Sequence, residues 1–132
     1  MRLFVAGEAT DDWRELTAGG RPAVRFTAPD LQRAQRSAAR LRAEHENVSV
    51  ILDVAVAVPG DFRTARAALA AGHEQTVRYT GTVDGLAGLI ADIESAGVAD
   101  GVTLIAGGSR QELNGVGRAV LNRLAVRRQA SA

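Results

Sequence analysis

Strand patterns alternate with helix patterns along the whole chain, which predicts an α/β protein with a parallel sheet. Two stretches carry the prediction. Val48 to Val58, VSVILDVAVAV, reads as a long strand with two unlike faces. Val48, Val50, Leu52, Val54, Val56 and Val58 form a bulky face fit to receive helices. Ser49, Ile51, Asp53, Ala55 and Ala57 form a face of mostly small residues with one charge. The second stretch, Thr82 to Ala106, is a helix feeding a short apolar strand, half of a βαβ unit. Two architectures fit. One is an open, doubly wound sheet of about five strands. The other is a half barrel whose core strands are Leu3–Ala6, Ala23–Phe26, Val48–Val58 and Val102–Ala106.

Taken in order, Leu3 to Ala6 is a buried strand ending at Gly7. Asp11 to Ala18 is expected as a short helix with Trp13 and Leu16 on one side. Gly19-Gly20-Arg21-Pro22 signals a turn, and Ala23 to Phe26 a weaker strand. Ala28-Pro29-Asp30 opens a helix running to about His45, since proline is well tolerated in a first turn. Its apolar face is Leu31, Ala34, Ala38 and Leu41, and its solvated face carries Arg33, Arg36 and Arg40.

Pro59-Gly60 ends the long strand, Asp61 to Ala71 is the next helix, and Gln75 to Thr80 is extended. Thr82 is then an N-cap, with Asp84 in the first turn, where a carboxylate suits the helix dipole. Leu86, Leu89, Ile90 and Ile93 form one apolar stripe, and Gly97 stands where a helix ends. Val102 to Ala106 is short and apolar, as buried parallel strands are. Ser109 caps a last helix to Arg127 with Leu113, Val116, Val120, Leu121 and Leu124 inward, and Gln129 to Ala132 is expected to fray. With no internal repeat or linker, residues 1–132 read as one domain, long enough to bury a sizeable core.

Composition removes several classes of function. Sixteen basic residues stand against 15 acidic ones, which points to neither nucleic acid nor an anionic membrane. Every basic residue is arginine, so a Schiff-base mechanism has no lysine to use. Without cysteine there are no thiol nucleophiles, disulfides or thiolate metal sites. Five aromatic residues make a poor stacking platform for bases. No run has the length of a membrane span and Met1 leads straight into a strand pattern, so a cytoplasmic protein is expected.

Gly107-Gly108-Ser109-Arg110 is the best candidate binding site. Two glycines between strand and helix let backbone approach a ligand, and the helix start offers free N–H groups. Arg110 adds a fork for phosphate. The bland alternative is an ordinary glycine turn with a serine cap. Asp53 is the most interesting single charge, because a buried carboxylate needs a partner. Arg25 or Arg78 would supply one, and a structural ion pair is favoured over a catalytic acid or base. His45 and His73 read as helix-end dipole partners on the surface, and no third ligand makes either a metal site. Asn114-Gly115-Val116-Gly117 falls inside the last helix, so its glycines are not a dinucleotide loop. No convincing catalytic residue emerges.

One resemblance spans nearly the whole chain. Gly81-Thr82, Ala87 and Ile90 in the pattern G-T-x-x-x-x-A-x-x-I are followed by Ala96-Gly97-Val98, Ala99-Asp100-Gly101 and a V-T-L-I strand. Together they resemble the C-terminal end of the bacterial luciferase-like oxidoreductases. The likeness is most specific over residues 77–128. It implies the second half of a TIM barrel, since a whole barrel takes roughly 250 residues. It also implies FMN or the deazaflavin F420 as cofactor for monooxygenase- or reductase-type chemistry, with Gly107, Gly108, Ser109 and Arg110 at its phosphate and Asp53 and Arg25 lining the pocket.

A half barrel leaves strand edges open, so a homodimer through those edges is expected. A longer luciferase-like paralogue supplying the other half is a second candidate partner. The alternative function is a non-catalytic half barrel, kept as a self-associating or partner-binding module.

Overall fold

A computed structural model of the chain describes residues 1–6, 13–57, 75–106 and 113–131. These residues form an α/β fold. In chain order the elements are β1 (Arg2–Ala6), β2 (Trp13–Glu15), β3 (Ala23–Phe26), α1 (Leu31–Glu44), β4 (Ser49–Ala57), β5 (Val77–Thr80), α2 (Val83–Ser95), β6 (Gly101–Ala106) and α3 (Leu113–Ser131).

The strands join in one sheet of order β2-β1-β6-β4-β3, with β5 also on β4. All pairings are parallel except β1 with β2, which is antiparallel. Strand β6 pairs with Ile51 to Val56 of β4, β3 with Ser49 to Leu52 and β5 with Val54 to Ala57. Since both β3 and β5 overlap the stretch that β6 occupies, they lie in tandem on the opposite side of β4. Asp53 stands at their junction. Read from β3, the core order is β3-β4-β6-β1. This is chain order except that β1 sits beside the last strand instead of beside β3.

Periodicity in β4 decides where the core lies. Leu52, Val54 and Val56 face one cluster together with Leu3, Val102 and Leu104. All three described helices contribute to that cluster, through Ala34 of α1, Leu86, Ile90 and Ile93 of α2, and Val120 of α3. The described helices therefore form one layer on one side of the sheet, not the two layers of the doubly wound alternative. Each fully buried Leu, Ile or Val contributes about 1.5–3 kcal/mol relative to an exposed one.

Local signals in α1 and α2 match their caps. Asp30 is the N-cap of α1, its carboxylate accepting from the Arg33 N–H at 2.8 Å, so Pro29 stands just before the helix. Thr82 caps α2 by accepting from the Gly85 N–H at 3.0 Å. At its other end Gly97 has φ 70°, and Gly97 N–H and Val98 N–H donate to Glu94 and Ile93 carbonyls. That double closure needs a left-handed residue, which glycine provides without strain.

Two expectations need correction. The segment around Trp13 is strand, not helix. Alternation places Trp13 and Glu15 on one face, opposite Ala6 and Phe4 of β1, while Leu16 packs against the helix-side core. In a strand a spacing of three puts Trp13 and Leu16 on opposite faces of the sheet, and Leu16 N–H still bonds Leu3 O of β1 at 2.8 Å. The last helix runs to Ser131 instead of ending at Arg127, as no glycine or proline follows Arg127 to stop it. The expected helix at Asp61 to Ala71 and the Ser109 cap lie outside the described residues.

Candidate functional site on the inner face of the sheet

The face of the sheet away from the helices gathers its polar side chains at the centre. Parallel register sets Thr103 of β6 beside both Phe4 of β1 and Asp53 of β4. From the β2 edge, Trp13 lies flat on Phe4, with ring centroids 4.6 Å apart and planes 15° from parallel. Its indole Nε1–H donates to Thr103 Oγ1 at 2.9 Å. From the β3 edge, Arg25 Nε–H donates to Asp53 Oδ1 at 2.7 Å, and the guanidinium carbon lies 6.0 Å from the indole centroid. Side chains from the two edges thus converge over Thr103 and Asp53.

Burial sets the electrostatics. Thr103 is 0% and Asp53 5% exposed. Desolvation pushes the Asp53 carboxyl above the usual carboxylate range, and the Arg25 hydrogen bond and charge oppose that rise without cancelling it. Nearby, Arg2 grips Glu15 with two prongs, Nε to Oε2 at 2.9 Å and Nη2 to Oε1 at 2.7 Å. Thr17 Oγ1 also donates to Oε2, at 2.5 Å, while accepting from Leu3 N–H. The Arg2 hydrogen bond holds Glu15 below the ordinary range, and the same bond raises Arg2. This network fixes β2 along the outer edge of β1.

Of the residues singled out from sequence, Asp53 and Arg25 are brought together as an ion pair. Arg78, the other candidate partner, stands on β5 opposite Ala55, exposed and with no ion pair among the described residues. Gly107, Gly108, Ser109 and Arg110 follow β6 directly but lie outside the described residues, as does His73. His45 is the exposed C-cap of α1. Among the described residues no group of three or more His, Cys, Asp or Glu is placed to hold a metal ion, and no helix is long and apolar enough to cross a membrane.

A cleft of about 430 Å³ lies at the amino ends of β4 and β6, lined by Arg21, Arg42, His45, Glu46, Asn47, Val48 and Asp100. Ligands in α/β proteins sit at the opposite, carboxyl end of the strands. Asp100 serves there as a structural clamp, its carboxylate accepting from Val50 N–H at 2.9 Å and from Arg42 at 3.1 Å.

Sequence reasoning missed Trp13, Phe4 and Thr103 as members of the inner face. A signal existed for Thr103, the one hydroxyl in an otherwise apolar strand. None existed for its contact with Trp13, ninety positions away in the chain. No protein-family model matches this chain, and no curated protein does either.

Proposed function

We propose that the chain is a non-catalytic half barrel of luciferase-like lineage that works as a self-associating module. The observation that carries this reading is the asymmetry of the sheet's edges. The outer edge of β1 is closed within the chain by the short, charged strand β2. On the other side, β3 and β5 in tandem have no strand partner beyond β4 among the described residues. Ser49 N–H bonds Pro22 O and Gly81 N–H bonds Ala57 O. Alternation from those bonds points the main-chain groups of Ala23, Arg25, Arg78 and Thr80 outward. Such an edge is a template for another strand, and a second copy meets it isologously, β3 antiparallel to β3 about a two-fold axis. Closure through β1 and β6 is not open to such a dimer, because those strands pair with each other.

The test is mass by light scattering for the wild type and for Ala23→Pro. The substitution removes an outward N–H and leaves the β3–β4 bonds in place. A dimer that becomes a folded monomer supports the reading. A wild-type monomer at ~100 µM, well above the concentration at which a micromolar dimer forms, overturns it.

A second reading, an FMN- or F420-binding oxidoreductase, is favoured by one observation. Arg78 stands exposed, with no ion pair among the described residues, towards the carboxyl ends of the strands, the end from which Gly107-Gly108-Ser109-Arg110 follows β6. Saturable binding of either cofactor, weakened by Arg110→Ala, would support that reading over the first.

A further inference from the structure

We propose that Arg25 is an oxyanion receptor on the inner face of the sheet and binds the carboxylate of a small organic acid. Among the described residues its guanidinium hydrogen-bonds through Nε alone, to Asp53. Neither Nη group has a partner among the described residues, and 31% of the side chain is exposed against 8% for Asp53. A buried carboxylate thus holds the near side of the fork while the far side faces solvent. The indole of Trp13 lies beside the guanidinium, and Trp13 is itself fixed by Phe4 and Thr103.

An arginine held in this way has already lost the rotamer freedom that anion capture would cost. Its planar donors match a carboxylate in two-pronged geometry, which an ammonium does not. The partner's charge narrows the ligand class. Asp53 already balances Arg25, so a monoanion adds one charge to a near-neutral pair, whereas a phosphate dianion would be repelled by the carboxylate behind the fork. Trp13, half-buried and resting on the buried ring of Phe4, gives the same face an apolar surface beside the guanidinium, suited to the hydrocarbon body of an organic acid. The inference stands apart from self-association, since the Arg25 side chain lies on the sheet's face and its main chain on the edge.

Trp13 is the chain's one tryptophan, so its fluorescence reports on this place alone. The experiment titrates the full chain with benzoate, following Trp13 emission and heat of binding together, and repeats the titration with inorganic phosphate. The expected result is a saturable change with benzoate that weakens by about ten-fold or more in Arg25→Lys, which keeps the charge and loses the fork. Circular dichroism establishes that the variant is folded. If it is not, the Arg25 Nε–H resonance of the wild type replaces it and is expected to shift along the same binding curve. Absence of saturation with benzoate, an equal response in a folded Arg25→Lys, or an unmoved Nε–H resonance overturns the proposal. Saturation by phosphate but not benzoate overturns the carboxylate assignment.

Discussion

Arg2 and Glu15 join β1 to β2 through two parallel hydrogen bonds of 2.9 and 2.7 Å, with both side chains only 16% exposed. Three residues of strand are too few to hold an edge by main-chain bonds alone, so this pair gives β2 its place. Glu15→Gln is expected to cost about 1.5–3 kcal/mol at neutral pH, the range for a hydrogen bond to a charged group. Hydrogen bonding to Arg2 lowers the folded carboxyl of Glu15. Its contribution is therefore full above the unfolded value of about 4.3 and fades as pH falls through the lower folded value. Denaturant midpoints of the two proteins are expected to differ at pH 7 and to converge in acid. A difference that persists unchanged at low pH would assign the cost to shape, not charge.

Asp53 has the opposite sign. Burial raises its folded carboxyl despite Arg25, so Asp53 takes up a proton more readily in the fold than in the unfolded chain. That contribution is present below the unfolded value of about 3.9 and lost as pH rises through the folded one. Asp53→Asn removes this titration while keeping an oxygen for Arg25. Relative to wild type, the variant is expected to gain melting temperature as pH rises from about 4 towards 7. A variant that instead loses ground over that interval would show that Arg25 outweighs desolvation.

The fold was legible wherever periodicity is a local property. The two faces of β4 and the stripe and caps of α2 follow from spacing within one strand or helix, and the need of Asp53 for an arginine from the cost of a lone buried charge, while the choice of Arg25 over Arg78 lies in the strand order. Strand order was not legible. Nothing in Arg2 to Ala6 says that β6, and not β3, lies beside it, because main-chain pairing leaves no mark on side-chain alternation. Segment Trp13 to Glu15 misled for a related reason. Three residues hold too little pattern to separate periods of 2 and 3.6, and the stacking of Trp13 on Phe4 decides between them. The binding candidate at Gly107 to Arg110 lies outside the described residues, so the inner face carries the structural account of a site.

Gly101 marks the closest approach of two strands. A Cβ there would stand 2.5 Å from the Arg2 carbonyl oxygen, 2.9 Å from Ile51 Cδ1 and 3.0 Å from Arg2 Cβ. The carbonyl belongs to β1 and cannot move without breaking the β1–β6 register. Gly101→Ala is therefore expected to destabilise by about 1–3 kcal/mol, the cost of overpacking. Gly20, with nothing within 4 Å of its would-be Cβ, is the control, and Gly20→Ala is expected to stay within about 0.5 kcal/mol. Thermal melts of both variants separate the two cases, and equal melting temperatures would refute the close approach.

Asp100 ties four elements at the amino end of the sheet. Its carboxylate takes Val50 N–H and Arg42, its N–H donates to Val50 O, its carbonyl accepts from Arg2 N–H, and Arg42 goes on to Gly97 O. The two carboxylate contacts differ in worth. Val50 is fully buried, so its N–H left without an acceptor costs about 1–3 kcal/mol. Arg42 and Asp100 are 38% and 40% exposed, and an ion pair in that setting contributes about 0–1 kcal/mol. Asp100→Ala is expected to destabilise by the larger amount, while Asp100→Asn, which keeps an oxygen for Val50, stays near wild type. Urea denaturation measures both, and amide exchange at Val50 locates the effect, with protection lost in the alanine variant and kept in the asparagine one. An asparagine variant as unstable as the alanine one would place the stabilisation in the charge, and with it in Arg42.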